Sequence, residues 1–269
     1  MRLAPVCAAA FLLFAAAPSV RADPGEDYRL GDSVRPTFQD IRLNLDAREA
    51  DYSGTVRVEL TVERPAARFR FHAEAMTLDH ILLTGPEGPV PVEKEHGEIG
   101  IVELRPKQPL APGSYVLQID FTNNFDTQAH GLYRLETGGK SYAFTQFEAD
   151  DAREAFPCWD EPAFKFPYRM TLVVPESDRA VSNTPIARDT VTDGVRTVVF
   201  EKTPPLPSYL LAIAAGPLET VDIPGMDVPG RVVTVAGQSR LTEEAVRMTP
   251  PILRALEEYF GSPYPFQKL

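Results

Sequence analysis

Residues 145–165 read TQFEADDAREAFPCWDEPAFK, and the rest of the chain is organised outward from them. The stretch opens as a strand and closes as a turn. Gln146 and Glu148 stand two apart, so on extended backbone both side chains point to one face and Phe147 to the other. A half-buried amide beside a carboxylate is costly unless something pairs with it, and the expected partner is a substrate. Residues 150–156 can form a short helix, and Pro157 and Pro162 bracket a turn that holds Cys158 and the one Trp, Trp159.

Strand signals surround this stretch. Residues 55–63 alternate most clearly, with Val56, Val58, Leu60 and Val62 on one face and Arg57, Glu59 and Thr61 on the other. Ile41, Leu43 and Leu45 alternate before them, and Ser53-Gly54 reads as the turn between. Phe69 and Phe71 alternate with Arg68, Arg70 and His72, and Tyr115, Leu117, Ile119 and Phe121 repeat the pattern. Strands over 132–135 and 142–148 are joined by a Gly138-Gly139 turn, and further strands are expected over 168–174, 195–201, 209–215 and 231–236. The 26 prolines among 269 residues are about twice the usual ~5% and leave little room for helix. Strands joined by short turns predict a mainly β fold, a large antiparallel saddle or sandwich-like domain.

The formal net charge of −11 and the lack of a long basic run argue against nucleic acid and anionic membrane surfaces as partners. Residues 1–22 read as a secretory signal: Arg2, an apolar core over 6–17, and small residues before a cleavage point after Ala22, with Ala17 as the alternative. The apolar core is too short to span a bilayer, so no stable membrane anchor is expected and the location is periplasmic or secreted. Cys7 leaves with this leader, and Cys158 is left without a disulfide partner.

The pattern changes after Ser239. Thr242 can cap a helix, with Glu243 and Glu244 favourable in its first turn. Pro250-Pro251 is expected to kink or restart it, with Thr249 as a new cap. Ile252, Leu253, Leu256, Tyr259 and Phe260 form an apolar face, and Gly261 stops the helix. The expected organisation is a leader at 1–22, a β domain at 23–239 and the truncated start of a second domain at 240–269.

The run Thr145-Gln146-Phe147-Glu148, then Asp151-Ala152-Arg153, then residues 156–165 (FPCWDEPAFK) resembles the signature of the amino-terminal domain of the aminopeptidase N family of zinc metallopeptidases. The resemblance continues through residues 172–175, 180–185, 203–212 and 259–265, and so covers about residues 36–269. It implies a β saddle followed by a thermolysin-like catalytic domain. It implies that Gln146 and Glu148 help form the first specificity pocket and hold the free amino terminus of a peptide substrate. It implies zinc in the full-length enzyme. The sequence departs from the family pattern at one place: it contains no H-E-x-x-H and no G-A-M-E-N run, and none of His72, His80, His96 and His130 is four residues from another. No catalytic residue and no metal ligand is therefore assigned, and the chain as given is expected to bind substrate without hydrolysing it, its partner being the missing catalytic domain. The alternative is a non-enzymatic β domain that binds peptides or proteins.

Other polar residues in the central stretch read as structural. Arg153 is expected to pair with a carboxylate and steady the turn, and Asp151, Asp160 and Glu161 to share that role. Cys158 lacks a nearby His and any local protease signature and reads as a small core residue. Tyr142, Phe144 and Trp159 read as core aromatics.

Overall fold

The computed structural model describes residues 28–269, so the leader expected at residues 1–22 lies outside the described residues. The strands are β1 (Val34–Asn44), β2 (Asp51–Val62), β3 (Phe69–His72), β4 (Thr77–Gly85), β5 (Gly88–Val90), β6 (Val92–His96), β7 (Ile101–Pro106), β8 (Gly113–Asn124), β9 (Gly131–Thr137), β10 (Lys140–Gln146), β11 (Tyr168–Pro175), β12 (Arg179–Ser182), β13 (Ile186–Thr192), β14 (Val195–Phe200), β15 (Ile213–Gly216), β16 (Leu218–Ile223) and β17 (Gly230–Val235). One α-helix, α1 (Glu243–Phe260), comes after them. The strands make an eight-stranded sheet (β13-β14-β11-β1-β2-β8-β4-β5), a four-stranded sheet (β12-β15-β10-β9), a three-stranded sheet (β3-β7-β6) and a β16-β17 ribbon. The fold is mainly β, as the sequence pattern predicts.

The large sheet is built on strict alternation. Along β2, Val56, Val58, Leu60 and Val62 are buried, and Arg57, Glu59 and Thr61 face outward. β8 does the same with Tyr115, Leu117, Ile119 and Phe121. These residues join Phe71, Leu104, Phe156 and Trp159 in one hydrophobic core, which locks the small sheet and the central stretch to the large one. Each fully buried aliphatic or aromatic side chain contributes roughly 1.5–3 kcal/mol.

Two expectations about this sheet change. β1 pairs β2 antiparallel but β11 parallel, so the sheet is mixed. Short turns force antiparallel pairing only between consecutive strands, whereas β1 and β11 are joined by more than half the domain. Gly54 is not in a turn: it lies inside β2, opposite Leu43 and Phe121. A Cβ there would stand 2.6 Å from the Phe121 ring and 2.8 Å from Leu43 Cδ2, so the glycine makes room for a large neighbour.

α1 runs through Pro250 and Pro251 without a restart. Proline's fixed φ suits a helix, so the chain continues and what is lost is the two N–H donors. Thr249 does not cap a new helix; its Oγ1 donates to Ala245 O at 2.7 Å. Thr242 likewise makes no cap bond and donates to Ser239 O. Gly261 ends the helix in the left-handed region at φ 67°, as expected. The closing segment is stitched back, with Tyr264 N–H on Glu257 Oε1 at 2.7 Å, Leu269 N–H on Pro229 O at 2.9 Å and Lys268 Nζ on Ser182 O at 2.5 Å. None of α1's residues is fully buried, and Tyr259 and Phe260 are 82% and 70% exposed. Among the described residues no helix is long and apolar enough to cross a membrane.

Gly54→Ala is expected to destabilise the fold by about 1–3 kcal/mol through overpacking. The denaturant midpoint should fall with an unchanged m-value, and Phe121→Leu in the same chain should recover part of the loss.

Candidate functional site

β10 carries the first two residues of the central stretch to the rim of the four-stranded sheet. Its last residue, Gln146, pairs with Gly131 of β9, and its flank is held by β15, which pairs at Ala143 and Phe144. Gly131 sits at φ 53°, and a Cβ on it would press on Glu154 Cβ at 3.0 Å, so glycine is required where β9 meets the turn. Thr145 Oγ1 accepts from Ile213 N–H at 2.8 Å and closes the strand end against β15.

The strand stops short of the sequence expectation. Phe147 leaves the ladder and is buried 5.8 Å from the Phe156 ring, edge to face, while Glu148 begins a turn. Gln146 and Glu148 flank the buried Phe147, and both are exposed rather than half-buried. Gln146 Nε2 donates to the Glu148 carbonyl at 3.3 Å, spanning the turn. The Glu148 carboxylate has no partner among the described residues. Solvent meets its needs in the free chain, and an incoming cation would find it unpaired. The Glu148–Ala149 peptide is cis.

Residues 150–160 pack beside this turn, and Arg153 pairs with a carboxylate there, as the sequence suggests. Asp151 N–H donates to Phe147 O at 3.0 Å and closes the turn, and residues 151–154 form a single 3-10 turn. Arg153 is 6% exposed and Asp160 4%. Asp160 Oδ2 accepts from Arg153 N–H at 3.2 Å and Nε–H at 3.1 Å, and Arg153 Nη2 donates to the Asp160 carbonyl at 3.1 Å. Arg153 Nη1 reaches Ile99 O at 3.1 Å, and Ser208 Oγ donates to Asp160 Oδ1. Asp160 N–H donates to His72 Nδ1 at 3.2 Å, which puts the imidazole proton on Nε2. His72 and Cys158 bridge each other through both backbone N–H groups, at 2.8 and 2.9 Å.

The electrostatics follow from burial. Desolvation pushes the Asp160 carboxyl up, against the bonds from Ser208 and Arg153 that pull it down. Burial, then the charge of Arg153, drives His72 down to about 3. Burial raises the Cys158 thiol, in keeping with an inert core residue. Tyr142 and Trp159 are buried, whereas Phe144 is half-buried against Tyr133, with ring centres 6.1 Å apart. Glu161 leaves the cluster and accepts from Leu30 N–H at 2.8 Å. His72 and Ser208 escape a sequence reading because they lie 88 and 48 residues from Asp160. The one trace is His72 itself, a buried residue at a position that alternation gives to solvent. Among the described residues no three His, Cys, Asp or Glu side chains group to hold a metal ion.

A family profile described as Peptidase M1 N-terminal domain matches residues 35–210. The chain is 35% identical over 251 residues to Aminopeptidase M1-B of Oryza sativa subsp. japonica, covering 90% of this chain and 28% of that protein. It is 32% identical over 254 residues to Aminopeptidase M1 of Arabidopsis thaliana, covering 90% and 29%. It is 29% identical over 258 residues to Glutamyl aminopeptidase of Homo sapiens, covering 91% and 27%. The chain therefore spans less than a third of the length of these relatives.

His72 sets a pH test. Its folded value of about 3 lies below the unfolded value near 6.5, so the unfolded state binds more protons between them and stability falls as pH drops through that window. The slope from this group is at most about 1.4 kcal/mol per pH unit. His72→Asn keeps an acceptor for Asp160 N–H. It is expected to flatten the pH dependence of stability, measured by urea denaturation, between roughly pH 6 and pH 4, the range set by the histidine reference value.

Proposed function

We propose that this chain, which belongs to the Peptidase M1 N-terminal domain family, supplies the part of an exported aminopeptidase that receives the free amino terminus of a peptide. The observation that carries the reading is the pairing of Gln146 and Glu148 on an exposed turn, with an unpartnered carboxylate on a buried, fully bonded brace. An α-ammonium group is a compact cation with N–H donors. Glu148 would take it in a charge-assisted hydrogen bond, and the Gln146 amide would bound the same space. Fixing the amino end sets the distance to the first peptide bond, which is how an exopeptidase counts one residue.

These residues bind and orient; no bond-breaking step is assigned to them. In the whole family enzyme zinc would polarise the scissile carbonyl. The histidines here do not fit the role of zinc ligands: His72 is buried with Nδ1 engaged by Asp160, and no metal-binding group forms among the described residues. The same reading gives α1 a neighbour. Its exposed Ile252, Leu256, Tyr259 and Phe260 would be covered by further catalytic-domain structure, a role that the short span relative to the rice enzyme supports. Export rests on the leader pattern at residues 1–22.

The test is an NMR titration of the chain with a short peptide amide bearing a free amino terminus, and with its N-acetylated twin. The free amine should shift the Gln146 and Glu148 amides, and Glu148→Gln should weaken binding about tenfold, the scale of one charge-assisted bond. Equal binding of the acetylated peptide would remove Glu148 from the role.

A further inference from the structure

We infer that Asp160 is a positioning residue that holds both flanks of the β10 end as one unit and so sets where the Glu148 carboxylate stands. The inference rests on the amino-terminus reading for its functional meaning, but its structural content stands apart from it.

Two routes leave this one carboxylate. Through Oδ2 it holds Arg153 N–H and Nε–H, which fixes the 3-10 turn at residues 151–154. The first residue of that turn donates from Asp151 N–H to Phe147 O and closes the loop containing Glu148. Through Oδ1 it receives the Ser208 hydroxyl, the first residue of the short turn Ser208–Leu210. That turn leads within three residues to Ile213, whose N–H bonds Thr145 Oγ1, and to Ala214 and Ala215, which pair with Phe144 and Ala143. The routes separate at Asp160 and meet again on either side of Gln146.

The anchor itself is fixed. Asp160 N–H is bonded to His72 Nδ1, the preceding Trp159 is buried 5.9 Å from the Phe71 ring, and Cys158 is bridged to His72 by two backbone bonds. Asp160 is thus a rigid point from which the more exposed turn and the edge of β15 are suspended. Its geometry sorts the variants. Ser208→Ala cuts only the route to β15. Asp160→Ala cuts both routes and leaves the buried Arg153 guanidinium with only the exposed Asp150 carboxylate, 3.7 Å away, as counter-charge.

Amide hydrogen exchange reads the two routes directly. Ser208→Ala should speed exchange at Ile213 about tenfold and leave Asp151 near its wild-type rate, the size expected for one lost bond. Asp160→Ala should speed both. Ser208→Thr, which keeps the hydroxyl, should restore Ile213. Affinity for the free-amine peptide should fall in Ser208→Ala but not in Val56→Ala, a control that destabilises the large sheet. Unchanged exchange at Ile213 in Ser208→Ala, or equal acceleration in Val56→Ala, would overturn the inference, and Ser208→Ala decides the matter if Asp160→Ala does not fold. Failure of the wild-type chain to bind the peptide would instead count against the amino-terminus reading, with the exchange pattern still deciding the role of Asp160.

Discussion

The buried ion pair between Arg153 and Asp160 is the constraint on which the candidate site depends. Such a pair is a poor source of net stability, because removing two charges from water offsets most of their attraction. What it supplies is direction. Arg153 aims its donors at the Asp160 carboxylate, the Asp160 carbonyl and Ile99 O, and Asp160 accepts from both sides. A network with every member bonded has one low-energy arrangement, whereas an apolar plug of the same volume would tolerate several. The turn above it inherits that uniqueness.

The acidic residues of the domain then fall into distinct physical kinds. Glu103 is buried and sits between Arg70 at 2.8 Å and Arg105 at 2.6 Å, so burial is outweighed and its carboxyl stays below the ordinary range. Asp160 is buried and bonded on both oxygens. Glu148 is exposed and unpartnered, although it sits three residues from the turn that holds Arg153. A chain of net charge −11 already surrounds it with negative potential, which favours a cationic guest. Its place in the turn that Asp151 N–H closes, beside the buried Arg153–Asp160 pair, distinguishes it from the exposed carboxylates on strands.

Much of the architecture is legible in the sequence because β1, β2 and β8 have one wet face and one dry face. β13 is not, since all seven of its residues are exposed and an edge strand wet on both faces leaves no period-two apolar signal. The prolines of α1 mislead for a related reason: local chemistry predicts a break, while the helix runs on to Phe260 and its last turn is tied to the closing segment by Tyr264 N–H on Glu257. At the site, the two-residue spacing predicts one shared strand face for Gln146 and Glu148, but the strand ends at Gln146. The turn at Glu148 adjoins a cluster in which Ser208 and His72 both bond Asp160, and no local pattern connects these two residues to it.

The parallel contact between β1 and β11 has a consequence in time. β2 can close one flank of β1 early, but the other flank receives residues 168–173, and the Asp40–Arg169 contact across it closes a separation of 129 residues. Closing so long a loop is slow, and the waiting flank is an open row of backbone donors and acceptors. At ordinary rates of translation that row stays bare for on the order of ten seconds while the intervening chain emerges. The central strand of the native sheet is therefore, during biosynthesis, the edge most in need of protection.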